Sequence, residues 1–343
     1  MANRPTLRDV AQEAGVSIAT VNRVVAGAPG VREETALKVA EAAARIGYHG
    51  HTLMSQQATA LLPEVRIGVL LQKEKQSFYR GFADHLVRSA ADCTTARVKL
   101  VLEFAASAAP RDAAAQLDRM ASRVDVLAAV AVNHPAVSET VNRLSANGVP
   151  TFALLSEFAQ GTRRSYIGTN NLKIGRGAAH ALSFAAGEQG KIALFVGGNR
   201  WHGHELRETG FRAHFRENAP GFTLLDTFIN LDTRQLTYEA TIDLLERHPD
   251  LVGLYLAGGG VEGAFAALRE ERVPGQTAMV ANEWTPESQQ AMDDGYVSLI
   301  VGTPLEQLSN IAIAMMVEAH QAPDRMQNGQ VFLDPTLYLP EFF

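Results

Sequence analysis

Arg207, Glu283, Asn171 and Thr303 are the residues best equipped to do chemistry, and that chemistry is binding rather than bond-making. Each falls just past the end of a predicted strand, where open α/β sheets take their ligands. Phe78, Tyr79, Asn133, His134, Ser156, Glu157, Asn170, Trp201, Gly258 and Gly302 share that placement. Aromatic faces beside amides, acids and one guanidinium suit a polyhydroxylated ligand such as a sugar, a polyol or a sugar derivative. Its rings would stack on Phe or Trp, and its hydroxyls would be taken by Arg, Asn and Glu.

Rival chemistries are weaker. Gly258-Gly259-Gly260-Val261-Glu262-Gly263 satisfies G-x-G-x-x-G between a predicted strand and helix, with Glu283 about 20 residues on, so an NAD(P) site is the competing reading. Against it, the glycines fall deep in the second half of the chain rather than in a first βα turn. His202-Gly203-His204-Glu205 lacks the i, i+4 spacing of a helical zinc site, and no metal is expected. No G-x-S-x-G elbow, Walker loop or H-E-x-x-H occurs, so the chain is not read as an enzyme and no cofactor is implied. Cys93 is the single cysteine, which excludes an intrachain disulfide and a thiolate cluster.

The elements that position these residues alternate. From Arg66, near-continuous apolar runs (RIGVLL, VKLVLEF, VDVLAAVAV, VPTFALL) are separated by helical patterns at 81–91, 113–121 and 137–146. After YIGTNN the pattern restarts through KIALFVGG, FTLLDTFIN, LVGLYLA, TAMVANE and VSLIVG, and VFLDPTLYLP closes the chain. Strands of this texture form parallel sheets, here in two lobes. The first lobe is expected at about 65–167 plus 297–330, and the second at about 168–296 plus the C-terminal strand. Residues 51–64 form a linker.

Ahead of it, residues 1–50 read as an all-α module. Leu7, Val10, Ala11 and Ala14 share one helix face, with Thr6 and Asp9 spaced as a capping box. Gly15 permits a left-handed turn, and Ser17 caps a second helix carrying Ile18, Val21, Val24 and Val25. A third helix, 31–46, closes a three-helix core around a helix-turn-helix. Ser17, Ile18, Ala19, Thr20 and Arg23, with Asn22, are what the second helix would present to a major groove. The net charge of −6 argues against wholesale nucleic-acid binding. Residues 1–50 carry six Lys/Arg against five acids, so affinity for DNA would depend on dimerisation and placed contacts.

T-L-R-D-V-A-x-x-A-G-V-S-x-A-T-V-x-R-V, followed by Gly47 and Tyr48, resembles the headpiece of the LacI/GalR family of bacterial transcription regulators. The remainder, roughly 65–343, resembles the periplasmic-binding-protein-like (type I) sensor of that family. The resemblance implies a ligand-responsive regulator, most simply a repressor, acting as a homodimer on a pseudo-palindromic operator. It implies that Ile18, Ala19 and Arg23 face base edges, with Thr6 supporting them, that Arg207 of R-E-T-G-F bonds ligand hydroxyls, and that Glu283 clamps two of them. Two family clamps are absent: Ala257-Gly258 stand where Asn-Asp is common, and Gly302 where Gln is. Gly50, His51, Met54, Ser55 and Gln57 also depart from the family's minor-groove hinge helix, so Leu53 or Met54 would have to serve as its wedge. No secretory h-region or run of about 18 apolar residues occurs, and no leucine-heptad tail. A cytoplasmic, membrane-free dimer is therefore expected rather than a solute-binding protein serving a transporter.

Overall fold

A computed structural model describes residues 4–198, 200–325 and 328–342. The chain divides into two compact units, residues 1–66 with 90–99, and 67–89 with 100–343.

In the first unit, α1 (Leu7–Ala14) starts on the capping box predicted for it: Thr6 Oγ1 accepts from the Asp9 N–H, and Asp9 accepts from the Thr6 N–H. Gly15, at φ 64, ends the helix in the left-handed region that glycine tolerates. Ser17 caps α2 (Ile18–Val25) by accepting the Thr20 N–H at 3.1 Å. α3 (Glu33–Arg45) completes a core of Val10, Val21, Val24, Ala36, Val39 and Ala43. The segment expected as a linker is instead a helix, α4 (His51–Leu61). Met54 and Ala58, 0 % and 1 % exposed, enter the same core, making it a four-helix module.

After α4 come β1 (Glu64–Leu71), which enters the second unit at Ile67, then α5 (Ser77–Ala91), β2 (Arg97–Phe104), α6 (Pro110–Ala121), β3 (Val126–Ala129), α7 (Pro135–Ala146), β4 (Thr151–Leu154) and β5 (Ser165–Thr169). The chain then crosses to α8 (Asn171–Ala185), β6 (Lys191–Val196), α9 (His202–Asn218), β7 (Thr223–Leu224), β8 (Phe228–Ile229), α10 (Arg234–Arg247), β9 (Leu251–Leu256), α11 (Val261–Glu271), β10 (Ala278–Asn282), α12 (Pro286–Asp293) and β11 (Leu299–Gly302). It returns through α13 (Leu305–Gln321) and β12 (Gly329–Leu333), and ends on β13 (Thr336–Tyr338). One sheet runs β12-β5-β4-β3-β1-β2 and the other β13-β11-β10-β9-β6-β7, with β8 also on β6. Among the described residues β13 joins β11 antiparallel, while β1–β3, β3–β4, β4–β5, β5–β12, β9–β10, β10–β11 and the pairs of β6 are parallel.

Three sequence expectations are corrected. VSLIVG does not return to the first lobe: β11 pairs with β10, and the crossing comes at Thr303–Pro304, after which α13 packs on β3 and β5. VFLDPTLYLP is two strands in different sheets, because Pro335 has no N–H to continue a ladder. FTLLDTFIN breaks into β7 and β8 where Arg212 takes the Leu225 carbonyl and, beside it, the Thr227 hydroxyl.

Both sheets are sandwiched by helices over fully buried cores, one around Leu70, Leu127 and Val141, another around Phe195, Leu254 and Ile300. Glycine sets one spacing that matters for the cavity. A Cβ on Gly175 would lie 1.9 Å from the Arg207 carbonyl, and one on Gly210 2.1 Å from the Leu172 carbonyl, so α8 and α9 touch backbone to backbone.

Candidate ligand cavity and nucleic-acid interface

A cavity of about 220 Å³ opens where the carboxyl ends of the two sheets face each other. Arg207, 8 % exposed, is its fixed centre. The α8–α9 contact puts its guanidinium beside Asn171 at the start of α8, and Nε donates to Asn171 Oδ1 at 2.7 Å. Nη1 donates to the Ala257 carbonyl at 2.6 Å, and Nη2 lies 3.8 Å from Glu283 Oε1. Glu283 is held at φ 72, a strained conformation for a non-glycine residue, and accepts both the N–H and the hydroxyl of Thr303 at 2.9 Å. Burial pushes its carboxyl above the usual range, against the pull of Arg207 and Thr303.

Phe78 and Tyr79 enter from the first turn of α5, rings edge to face at 5.1 Å, and burial raises the Tyr79 phenol. Trp201, immediately before α9, lines the opposite side. Of the predicted ligand residues, Phe78, Tyr79, Asn171, Trp201, Arg207, Glu283 and Thr303 thus line one cavity. Asn133 and His134 do not. β3 ends at Ala129, so Val130 takes the wall position. Asn133 is exposed and gives its N–H to the Arg200 carbonyl, while His134 Nδ1 caps α7 by accepting the Ala136 N–H.

Sequence reasoning met His204 only within the rejected zinc motif, and passed over Asp232; both line the cavity. His204 Nδ1 accepts the Gly197 N–H at 3.1 Å, which leaves the proton of the neutral ring on Nε2. Burial lowers the imidazole to about 4, with Arg207 and Lys73 adding to the effect against the pull of Asp232. His202 turns the other way, onto exposed Glu205. Asp232 receives the Gly259 N–H at 2.9 Å. Burial alone would raise its carboxyl; His204, Lys73 and the Gly259 amide hold it below the usual range. This carboxylate answers the dinucleotide reading. The space in front of Gly258 and Gly259, where a pyrophosphate would rest, is filled by an anion. Gly260 and Gly263 serve packing, since a Cβ there would strike Thr237 and the Arg234 carbonyl.

On the helix-turn-helix, Ser17, Ile18, Ala19, Asn22 and Arg23 are exposed and Thr20 half-buried. Ser17 and Thr20 bond each other at 2.9 Å, Thr6 is engaged by Asp9, and Arg23 Nη2 rests on the Pro29 carbonyl at 2.9 Å. Ile18, Ala19 and Asn22 are thus the exposed side chains of α2 without a hydrogen-bond partner among the described residues. Of the two wedge candidates on α4, Leu53 is 45 % exposed; Met54 is ruled out by its burial.

The family model for "Bacterial regulatory proteins, lacI family" matches residues 6–50, and that for "Periplasmic binding protein domain" matches 67–323. The chain belongs to the lacI family of bacterial regulatory proteins. Catabolite control protein A of Priestia megaterium is 38 % identical over 78 residues, 23 % of either chain. HTH-type transcriptional regulator RegA of Clostridium saccharobutylicum is 38 % identical over 87 residues, 25 % of this chain and 24 % of that one. The match thus spans about a quarter of these relatives' lengths. Among solved structures, a solute-binding protein from Burkholderia graminis in complex with D-arabinose has a TM-score of 0.74 at 20 % identity, covering 80 % of this chain and 95 % of that one. GanP, a glucose-galactose binding protein from Geobacillus stearothermophilus, has a TM-score of 0.73 at 17 % identity, covering 81 % and 99 %. Their likeness is one of fold.

In this lacI-family chain the buried imidazole gives a pH signature. Between about pH 4 and 6.5 the unfolded chain binds a proton at His204 that the folded chain refuses, so acidification through that window destabilises the fold. Glu283, with a raised carboxyl, works in the opposite direction, so the expected result is a comparison. His204→Asn, which keeps an acceptor for the Gly197 N–H, should lose less stability than the parent between pH 6.5 and 4 in urea unfolding. Parallel losses would mean that the ring protonates freely in the fold.

Proposed function

We propose that this lacI-family chain is a ligand-responsive repressor that reads a pseudo-palindromic operator as a homodimer and responds to a small, neutral, polyhydroxylated effector. One observation carries the reading: an exposed recognition helix and a polar cavity walled by aromatic rings occur on the same chain. Neutrality of the effector follows from charge. Arg207 is already faced by Glu283, and with Asp232, Glu262 and Glu287 also on the lining against Lys75, an anionic ligand would meet four carboxylates for one guanidinium and one ammonium. The volume suits a single sugar ring better than the roughly 300–1,000 Å³ occupied by drug-sized ligands. Solute-binding proteins of this fold that hold D-arabinose and D-fucose lend support. Effector binding would favour one arrangement of the two lobes and, through it, one spacing of two headpieces, for which a coupling of a few kcal/mol suffices. The protein would work in the cytoplasm, where operator DNA is.

Selection from a random duplex library tests the DNA half of this reading. The recovered sites should be inverted repeats with half-sites centred about one helical turn apart. Arg23→Ala should weaken the selected site by about 1–3 kcal/mol and leave random DNA nearly unaffected, because Arg23 would exchange the Pro29 carbonyl for a guanine edge. Equal losses on both would reduce Arg23 to a phosphate contact, and recovery of no consensus would remove the operator reading.

A further inference from the structure

The turn after β8 is built at a cost in backbone strain. Leu231 and Asp232 both adopt left-handed backbone, φ 50 and 51, although neither is glycine. Such residues persist only where their surroundings over-determine them. Asn230, 1 % exposed, does this here: its Oδ1 accepts the Asp232 N–H at 2.9 Å, and its Nδ2 donates to Thr237 Oγ1 at 3.0 Å and to the Gly259 carbonyl at 2.9 Å.

Glycines clear the space for the carboxylate so delivered. A Cβ on Gly197 would lie 2.2 Å from Asp232 Oδ2, and one on Gly258 2.3 Å from Oδ1. Three separate turns of the second lobe therefore converge to place this one acidic group at the cleft.

The first lobe meets it there. Lys73, itself at φ 39, follows β1 and directs Nζ to the Leu231 carbonyl at 2.8 Å and to Asp232 Oδ2 at 3.3 Å. Gln76 Nε2 donates to the Asp232 carbonyl at 3.0 Å. Other bonds join the lobes, Ser77 to Glu287 and the Asn133 N–H to the Arg200 carbonyl at the rim, and the Gly203 N–H to Ser156 Oγ and Asn171 Nδ2 to the Leu155 carbonyl beside the crossover. Lys73 and Asp232, whose side chains are 28 % and 12 % exposed, form the pair of opposite charges among them.

We infer that Asp232 is a cross-cleft positioning residue, which fastens the Lys73–Gln76 segment of the first lobe to the second and so sets Phe78 and Tyr79 over the cavity. The two aromatics follow Gln76 and Ser77 on the first turn of α5, so where the segment is held decides where their rings stand. The charge pair exists only with the lobes together, and its attraction, in a partly dehydrated cleft, biases the chain toward the closed arrangement. This deepens the effector reading by naming what regulates the same cleft, but its test contains no effector, so either can fail alone.

The experiment measures interlobe distance by double electron–electron resonance on the full chain carrying Cys93→Ser. Nitroxides at Arg111→Cys on α6 and Glu246→Cys on α10 span the cleft, and a pair at Lys173→Cys and Glu246→Cys lies within the second lobe. Without the latch, in Lys73→Met, the interlobe distribution should broaden and move to longer distance while the within-lobe pair stays unchanged. Asp232→Asn should do the same, and the double variant should open no further than either alone. An interlobe distribution in Lys73→Met that superimposes on the parent overturns the inference, whatever Asp232→Asn does. Movement of the within-lobe pair as well would assign the change to loosened folding and overturn it too.

Discussion

Arg207→Ala is expected to abolish the effector response while leaving operator binding intact. The guanidinium is the one cationic group whose donors satisfy the amide of Asn171, the carbonyl of Ala257 and, at longer range, the carboxylate of Glu283. Removing it takes away donors in a fork geometry that water or lysine cannot reproduce. Hydrogen bonds of a charged group are worth about 1.5–3 kcal/mol each, so losing two to a ligand weakens binding by a hundredfold or more. Stability should fall by only about 1–3 kcal/mol, the usual result of stranding buried acceptors. Glu283, already pushed toward its protonated form by burial, would take up a proton more readily without its partner. The measurement is a melting-temperature screen of parent and variant against neutral sugars and polyols beside their acids and phosphates, followed by operator titration. A ligand that shifts both proteins equally, or a folded variant that has lost the operator, would break the division between cavity and headpiece.

Met54→Ala is expected to release α4 from the headpiece. Met54 is fully buried among residues of the other three helices, and a large-to-small change at such a site costs about 2–5 kcal/mol. That is comparable to the whole stability of a module this small. Native-state hydrogen exchange on the full chain without DNA should show α4 amides protected like those of α2 in the parent and unprotected in the variant. Leu53→Ala, altering a side chain 45 % exposed, should leave protection unchanged. If α4 amides of the parent exchange at the rate of a free peptide, the helix is not a standing part of the module.

What could be read from sequence was local. Thr6 with Asp9, Gly15 and Ser17 define a start, a stop and a restart within a dozen residues, and each acts through its own backbone neighbours. Alternating apolar runs announced two parallel sheets for the same reason. The errors arose where a residue's role is decided by something remote. Met54 reads as linker until its core partners on other helices are known. Whether β11 joins the first or second sheet depends on β10, not on VSLIVG itself. Asn133 and His134 were placed at the cavity because an apolar run was taken to be strand to its end, whereas β3 stops at Ala129. Asp232 was invisible because the glycines that admit it lie about 35 residues before it and 26 after it, and each looked like a feature of its own turn.

α4 contains no Lys, Arg, Asp or Glu. Whatever that helix contributes against a nucleic acid, it displaces none of the cations condensed on the phosphates, and the ionic-strength dependence of binding is written by the six basic side chains of residues 1–50. Salt therefore separates the two parts of this surface. Substitutions in α4 move a plot of log affinity against log salt up or down without tilting it, while loss of a phosphate-contacting arginine changes its slope.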